Sequence, residues 1–208
     1  PELKSLELLR KISKKIVALD FFIYNQKIDV IINLHNHFKE KISQFKGELF
    51  SGSKYAIICD NILKLNSFKK TTSSFINILV TFGSEDPLGN TLQTLDYLKS
   101  LDLENHKINV IVGKNFKTKN KIYNYKLKNL KVLEFVTEID ELYKFSDIII
   151  CGGGTTLVET LFLGKTIIPI PQNIFENYFI CSLKEKVKLF RLEEIDYLTK
   201  NFDSIKTY

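Results

Sequence analysis

The sequence has very little arginine and lacks methionine and tryptophan. Its 208 residues contain no methionine, no tryptophan and only two arginines, Arg10 and Arg191, although the formal net charge is +6. Arginine is the usual side chain for bidentate contacts with phosphate and guanine, so a charge that comes almost entirely from lysine argues against nucleic-acid binding. We therefore expect no nucleic-acid partner.

The cysteines argue against a disulfide framework and against a zinc site. Cys59, Cys151 and Cys181 are odd in number, lie far apart and form no C-x-x-C motif. No cluster of metal-ligating residues is visible in the sequence, and we expect neither a metal nor a cofactor. Free thiols favour a reducing compartment, so we predict a cytoplasmic protein.

Long apolar runs are also missing. No stretch approaches the about 20 apolar residues that cross a bilayer, and the run 6–19 is interrupted by Lys11, Lys14 and Lys15. We therefore expect no membrane span, and no secretory signal is recognisable. The chain begins at Pro1, which fits either a processed start or a piece cut from a longer protein.

The most informative stretch is 146–165, at the centre of the strand–helix pattern. The β-branched run 148–150 leads into three glycines at 152–154, after which apolar residues recur at helical spacing as far as Gly164. This pattern predicts a strand, a tight turn and a helix. Glycines let a ligand approach the backbone, and the N–H groups of a helix start attract phosphate. We interpret residues 152–156 as a candidate anion site.

An ordinary structural interpretation of the same stretch is open. Thr156 and Glu159 have the spacing of a capping box, in which both side chains satisfy backbone N–H groups of the first helical turn. In that case the glycine turn would be only a connection between a strand and a helix.

The pattern along the chain predicts an α/β protein with two domains. In the first part we predict a helix at 2–12, strands at 15–20, 28–34 and 55–59, and a helix at 38–45. A polar stretch at 64–74, rich in Ser, Thr and Lys, is the predicted domain boundary. Beyond it we predict strands at 75–81, 108–112, 132–136, 147–151 and 166–170, and helices at 88–101, 138–145, 156–163, 175–186 and from Glu193 onward.

Strands that alternate with helices at this pitch predict a doubly wound parallel sheet. Ligands of such sheets bind at the carboxyl ends of the strands. The loops 83–86, 152–156 and 171–177 all fall there.

Seven lysines lie among Asn and Tyr residues between 114 and 131. The segment reads as a solvated surface connection. The alternative is a surface that contacts an anionic lipid or acceptor.

Four motifs, taken in order and spacing, resemble the C-terminal domain of the GT-B nucleotide-sugar enzymes: 81–87, 146–159, 164–171 and 176–177. Within that superfamily the sequence is most similar to the UDP-2,4-diacetamido-2,4,6-trideoxy-β-L-altropyranose hydrolases of the pseudaminic acid pathway and their spore-coat polysaccharide relatives. Segments 29–33 and 52–58 resemble the second half of that family's N-terminal domain. The resemblance implies a partial Rossmann-like N-terminal domain at 1–70 and a UDP-sugar-binding Rossmann-like domain at 75–208.

The resemblance also implies roles for particular residues. The UDP pyrophosphate would be held by Gly152, Gly153, Gly154, Thr155 and Thr156. Glu159 would bond ribose hydroxyls, and Gly83 and Ser84 would line the opposite wall. Glu176 and Asn177 would face the sugar, although the glutamine that usually follows them is replaced here by Tyr178.

The Gly-x-Gly-His segment that opens the family is absent. The chain therefore resembles a member without about the first half of its N-terminal domain, which a partner chain or an upstream segment would supply. His35 and His37 follow the predicted strand 28–34 and are the candidate catalytic bases. Ordinary surface histidines are the alternative.

The function implied by the resemblance is hydrolysis of a UDP-sugar, in which water attacks C1 and UDP departs. A UDP-sugar-dependent glycosyltransferase would use the same site but pass the sugar to an acceptor. A non-catalytic nucleotide-sugar-binding subunit would keep the site and lack the base. These two functions remain alternatives to the hydrolase.

Overall fold

The computed structural model of the protein describes residues 3–19, 26–34, 45–65, 75–134 and 136–205. The chain divides into two compact units, residues 1–57 and 58–208. The division falls ahead of the polar stretch 64–74. Among the described residues, no helix is long and apolar enough to cross a bilayer.

The described residues of the first unit form a small parallel sheet, one α-helix and one 3-10 helix. Helix α1 (Leu3–Ile12) precedes strands β1 (Val17–Leu19), β2 (Val30–Asn33) and β3 (Glu48–Ser51), and a 3-10 helix follows at Ser53–Tyr55. The strands are parallel in the order β1-β2-β3, with Val17 opposite Val30 and Val30 opposite Glu48. Among its described residues, Leu6, Ile16, Ile28 and Ile31 form a buried cluster.

The prediction of a strand at 55–59 is wrong. The third strand lies earlier, at Glu48–Ser51, where the Glu48 N–H donates to the carbonyl of Asp29 at 2.8 Å and starts the pairing with β2. Residues 56–59 are irregular, and the Ile57 side chain is 64% exposed. A short apolar run does not reveal whether a sheet edge is available to it, so the apolar run 55–59 was predicted as a strand and the less apolar segment 48–51 was not.

The second unit alternates strands and helices. Its strands are β4 (Asn77–Thr81), β5 (Lys107–Val112), β6 (Leu130–Glu134), β7 (Ile148–Cys151) and β8 (Thr166–Pro169). Its helices are α2 (Asp60–Leu65), α3 (Asn90–Lys99), α4 (Lys119–Tyr123), α5 (Ile139–Phe145), α6 (Thr155–Phe162), α7 (Ile174–Leu183), α8 (Ile195–Lys200) and α9 (Phe202–Ile205), with a 3-10 helix at Leu192–Glu194.

The five strands form one parallel sheet in the order β6-β5-β4-β7-β8. Within this sheet the first strand, β4, is the central one. Strands β5 and β6 are added on one side of it, and β7 and β8 on the other. Residues 78–80 of β4 and 148–150 of β7 are each 0% exposed, and because successive side chains point to opposite faces, both faces of these strands are covered. The predicted α/β, doubly wound fold is confirmed.

Most predicted helices and strands are present with shifted ends. Helix α3 starts at Asn90 rather than 88 because the Asp86 carboxylate accepts N–H bonds from Asn90 and Thr91, both at 2.8 Å, which marks the first turn. Helices α2 and α4 were not predicted. The predicted helix at 38–45 lies almost entirely outside the described residues.

The lysine-rich segment 114–131 includes helix α4. Lys119 pairs with Glu134 at 2.6 Å, and Glu134 also accepts from the Tyr123 hydroxyl, so the segment is attached to the edge strand β6. The surface-connection interpretation fits these contacts.

Candidate functional site

The site lies where the strand order reverses. Strands β4 and β7 are neighbours, with Thr81 opposite Cys151, yet their crossover helices lead in opposite directions along the sheet. Such a reversal leaves a crevice beyond the carboxyl ends of the two strands, and ligands of doubly wound sheets bind there. The loops that follow β4 and β7 are those singled out in the sequence, so the structure brings residues 83–86 and 152–156 to one edge.

The loop after β4 is shaped by a close approach of two backbones. Gly83 adopts φ 79° and is exposed together with Ser84. The Ser84 carbonyl accepts the Asn115 N–H at 3.1 Å. A Cβ atom on Gly113 would lie 2.4 Å from the Gly83 carbonyl oxygen and 2.5 Å from that of Ser84. Glycine at 113 is therefore required for the loop to lie against the end of β5.

The glycine loop after β7 is packed on one side and open on the other. Gly152 and Gly153 are buried, and a Cβ on Gly153 would meet the Cβ of Glu176 at 2.7 Å. A Cβ on Gly154 would meet nothing within 4 Å. Space beside Gly154 is thus available to a ligand, whereas Gly153 packs against Glu176 and leaves no such space.

The helix that follows the glycines starts without a side-chain cap. Helix α6 begins at Thr155 with Gly154 at the N-cap, and no side chain of the described residues caps it. The capping-box alternative is wrong, because Thr156 lies inside the first turn and the Glu159 carboxylate bonds elsewhere. N–H groups of a first turn lack partners within their helix, so this start presents donors to an anion.

Glu176 holds the glycine loop in place. Its Oε2 accepts the Gly153 N–H at 2.8 Å and the Gln172 N–H at 2.9 Å. The N–H of Glu176 in turn donates to Asn173 Oδ1, which caps helix α7. The family resemblance implied that Glu176 faces a sugar. In the structure its carboxylate bonds backbone groups beside the glycines, and Asn177 and Tyr178 next to it are exposed.

Gln172 connects the two halves of the crevice. Its Nε2 donates to the Phe82 carbonyl at 3.1 Å, at the end of β4, while its own N–H reaches Glu176. A Cβ on Gly152 would lie 2.9 Å from the same Nε2. The Gln172 side chain therefore joins the ends of β4, β7 and β8.

Glu159 is half-buried on helix α6 beside the glycines. Its Oε2 lies 3.2 Å from the Tyr143 hydroxyl, and Thr156 Oγ1 lies 3.4 Å from that hydroxyl. Burial raises the pKa of Glu159, and the hydrogen bond from Tyr143 partly opposes the rise. Burial also raises the pKa of Tyr143 far above its usual range, so it remains a neutral donor.

The two candidate bases, His35 and His37, lie outside the described residues. His106 is not at the site, since it precedes β5 and its Nδ1 accepts the Ile76 N–H at 3.3 Å at the amino end of the sheet. Burial lowers the pKa of His106.

Three residues of the site were given no role from the sequence: Gly113, Tyr143 and Gln172, although the loop 171–177 that contains Gln172 was predicted to lie at the ligand edge. A glycine directly after the predicted strand 108–112 was a usable signal, because that position is at the ligand edge. Tyr143 acts through contacts with the next helix, α6, and Gln172 through contacts with the end of β4 and with Glu176, and no local pattern marks these contacts.

Comparison with known proteins identifies the family. Residues 50–178, more than half of the chain, match the Glycosyltransferase family 28 C-terminal domain, and the protein belongs to this family. The match covers every described loop of the crevice.

Two curated relatives are similar in sequence. The uncharacterized protein MJ1062 of Methanocaldococcus jannaschii is 28% identical over 180 residues, 79% of this chain and 37% of that protein. The UDP-N-acetylglucosamine–N-acetylmuramyl-(pentapeptide) pyrophosphoryl-undecaprenol N-acetylglucosamine transferase of Vesicomyosocius okutanii is 26% identical over 124 residues, 57% of this chain and 34% of that enzyme. The chain thus spans little more than a third of the length of these relatives.

Solved structures share the fold. A glycosyltransferase from Rickettsia africae has a TM-score of 0.60 at 14% identity, over 98% of this chain and 70% of that one. MurG of Acinetobacter baumannii has a TM-score of 0.51 at 15% identity, over 97% of this chain and 61% of that one. The GT-B part of the resemblance is confirmed. The family match favours the glycosyltransferase alternative over the predicted hydrolase.

Proposed function

We propose that the chain carries the UDP-sugar-binding part of a glycosyltransferase. The observation that carries the proposal is the family match over 50–178, which includes both loops of the crevice. The uncapped start of helix α6 and the open space beside Gly154 support a phosphate at that position. That the remainder of the N-terminal domain comes from an upstream segment or a partner chain is part of this proposal, and a cytoplasmic location stays a prediction.

The site would act on the negative charge that develops on the leaving group. When the bond between C1 of the sugar and the phosphate oxygen breaks, the departing UDP gathers negative charge. Backbone N–H groups fixed at a helix start stabilise such charge without reorganising. Gly153 already donates to Glu176, so Gly154, Thr155 and Thr156 are the residues assigned to the pyrophosphate. Glu159 is assigned to the ribose, Gly83 and Ser84 to the opposite wall, and Glu176 and Asn177 to the sugar side.

The first test is nucleotide binding. We expect UDP to raise the melting temperature of the chain, since a ligand at one hundred times its dissociation constant stabilises the folded state by about 2.7 kcal/mol. CMP, ADP and GDP at equal concentration are the controls. Equal shifts with all four nucleotides, or none with UDP, would contradict the proposal.

The second part of the test separates transfer from hydrolysis. UDP release is followed from UDP-N-acetylglucosamine, the donor in the name of the V. okutanii relative, and from 2,4-diacetamido-trideoxyhexose donors, with and without polyprenyl-linked acceptors. Release that requires an acceptor supports a transferase. Acceptor-independent release would restore the hydrolase. Binding without release would indicate a non-catalytic subunit only if release stayed absent after the missing part of the N-terminal domain had been supplied. His35→Ala and His37→Ala then test the two candidate bases.

A further inference from the structure

Tyr143 is a fully buried side chain whose one polar atom is directed at the candidate site. It lies on helix α5 and is 0% exposed, yet its hydroxyl is 3.2 Å from Glu159 Oε2 and 3.4 Å from Thr156 Oγ1. Glu159 and Thr156 are both on the first turns of α6. A residue from the preceding helix thus contacts two residues assigned to UDP.

The direction of these hydrogen bonds can be assigned from their chemistry. A phenol has one proton to donate, and a carboxylate is a stronger acceptor than a hydroxyl. Tyr143 therefore donates to Glu159, while the Thr156 hydroxyl can turn its proton toward the phenol oxygen. Thr156 is also fixed by its backbone, because its carbonyl accepts the Thr160 hydroxyl at 2.8 Å.

We propose that Tyr143 is a positioning residue, which holds the Glu159 carboxylate in the orientation that accepts hydrogen bonds from the ribose of UDP. The inference rests on the proposed function. It assigns Tyr143 no contact with the nucleotide. Of the two residues that the phenol contacts, Glu159 accepts the phenol proton and is the one through which we expect Tyr143 to act on the ribose, whereas Thr156 is assigned to the pyrophosphate.

The surroundings of Glu159 indicate what loss of the phenol would do. Burial favours the protonated carboxyl, whereas the Tyr143 hydrogen bond favours the carboxylate. The buried Cys151 thiol lies near the Tyr143 hydroxyl. Lys165, which follows helix α6, donates to the carbonyls of Lys144 and Ser146. Without the phenol, the pKa of Glu159 rises and the group becomes a poorer acceptor at a given pH.

The experiment compares UDP with 2′,3′-dideoxy-UDP, which has the same phosphates and base but no ribose hydroxyls. Dissociation constants of both ligands are measured by calorimetry between pH 5 and 8 for the 208-residue chain and for Tyr143→Phe. Because the phosphates titrate alike in both ligands, the preference for UDP isolates the ribose contact. Tyr125→Phe is the matched control, since it removes another phenol–carboxylate hydrogen bond, to Asp96 at 2.7 Å.

We expect the wild-type chain to prefer UDP by about tenfold or more, as for a hydrogen bond to a charged group. In Tyr143→Phe the preference falls about three- to tenfold, dideoxy-UDP binds as before, and the pH at which the preference is half lost moves upward. Glu159→Gln removes most of the preference, and adding Tyr143→Phe to it has no further effect. Tyr125→Phe behaves as wild type.

Different failures have different meanings. If wild-type chain binds no UDP, the proposed function and this inference are both overturned. If UDP binds but Tyr143→Phe weakens both ligands equally, or neither, only the inference is overturned. Should Tyr143→Phe melt below the assay temperature, Glu159→Asp withdraws the carboxylate from the phenol instead, and a full UDP preference in that variant would also overturn the inference.

Discussion

At the scale of single residues, the three glycines after β7 are not equivalent. A Cβ on Gly153 would lie 2.7 Å from the Glu176 Cβ and 3.1 Å from its Cα, whereas one on Gly154 would meet nothing. The φ of Gly154 is −89°, which is not in the left-handed region that favours glycine. The first glycine of this pair serves packing and the second is free to serve a ligand.

Alanine substitutions should separate these two roles. We expect Gly153→Ala to lower the free energy of unfolding by about 1–3 kcal/mol, because the helix α7 backbone must move. Gly154→Ala should leave the melting temperature unchanged but weaken UDP binding about tenfold or more, since a methyl group would occupy the space of a pyrophosphate. Thermal melts and UDP titrations measure both. Unaltered UDP affinity in Gly154→Ala would show that the pyrophosphate binds elsewhere.

Residue types predicted part of the site and left part of it hidden. Glycines at 152–154 and Glu159 are recognisable because their chemistry and spacing are local to one turn and helix. Gln172 is different: it is placed by the meeting of β4, β7 and β8, and its Oε1 is buried without a hydrogen-bond partner among the described residues. A role that depends on three strands far apart in sequence has no local pattern, so the sequence alone could not predict it.

At the scale of elements, the loop after β4 depends on the end of β5. The Gly83 and Ser84 carbonyls lie against Gly113 with no room for a side chain. Both are backbone atoms, so a methyl group at 113 cannot be accommodated by a rotamer change and the loop itself must shift.

Gly113→Ala should therefore act on the site from a neighbouring strand. We expect UDP affinity to fall about two- to tenfold, as for loss of one hydrogen bond, with a melting temperature a few degrees lower. Gly164→Ala is the control, because Gly164 adopts φ 63° with open space around it and ends helix α6 away from the crevice. Both variants carry a strain or packing cost, but only Gly113→Ala should change UDP binding. If Gly113→Ala and Gly164→Ala bind UDP with the same affinity, the loop after β4 does not depend on Gly113 in the way described.

The elements that were predicted well are those in which an apolar run is bounded by residues that end a strand or helix, such as glycine. Strand β7 is a β-branched run stopped by glycines, and it was placed correctly. Strand β3 was missed because Glu48–Ser51 is less apolar than the run after it, and its identity depends on pairing with β2. Pairing between distant segments overrides local composition, which is why the prediction failed there.

At the scale of the whole molecule, every described residue assigned to UDP belongs to the second unit. That unit has its own five-stranded sheet and its own core, which includes Ile78, Val80, Leu95, Ile108 and Ile150. Helix α2 belongs to the same unit: it contacts helix α5, and its Ile62 is 0% exposed. The predicted boundary at 64–74 would cut this helix away.

Two fragments test where the nucleotide-binding domain begins. We expect residues 58–208 to fold and to bind UDP within about threefold of the full chain, because all the contacts described for the crevice are retained. A fragment 75–208 lacks α2 and the buried Ile62, so its free energy of unfolding should be lower by about 2–5 kcal/mol, the usual cost of removing a large aliphatic side chain from a core. Ile62→Ala in the longer fragment is the matched control and should reproduce much of that loss. Urea denaturation measures the stabilities and calorimetry the UDP affinities.

Equal stability of the two fragments would favour the boundary at 64–74. A folded 58–208 fragment that binds no UDP, although the full chain does, would mean that residues before 58 contribute to the nucleotide site.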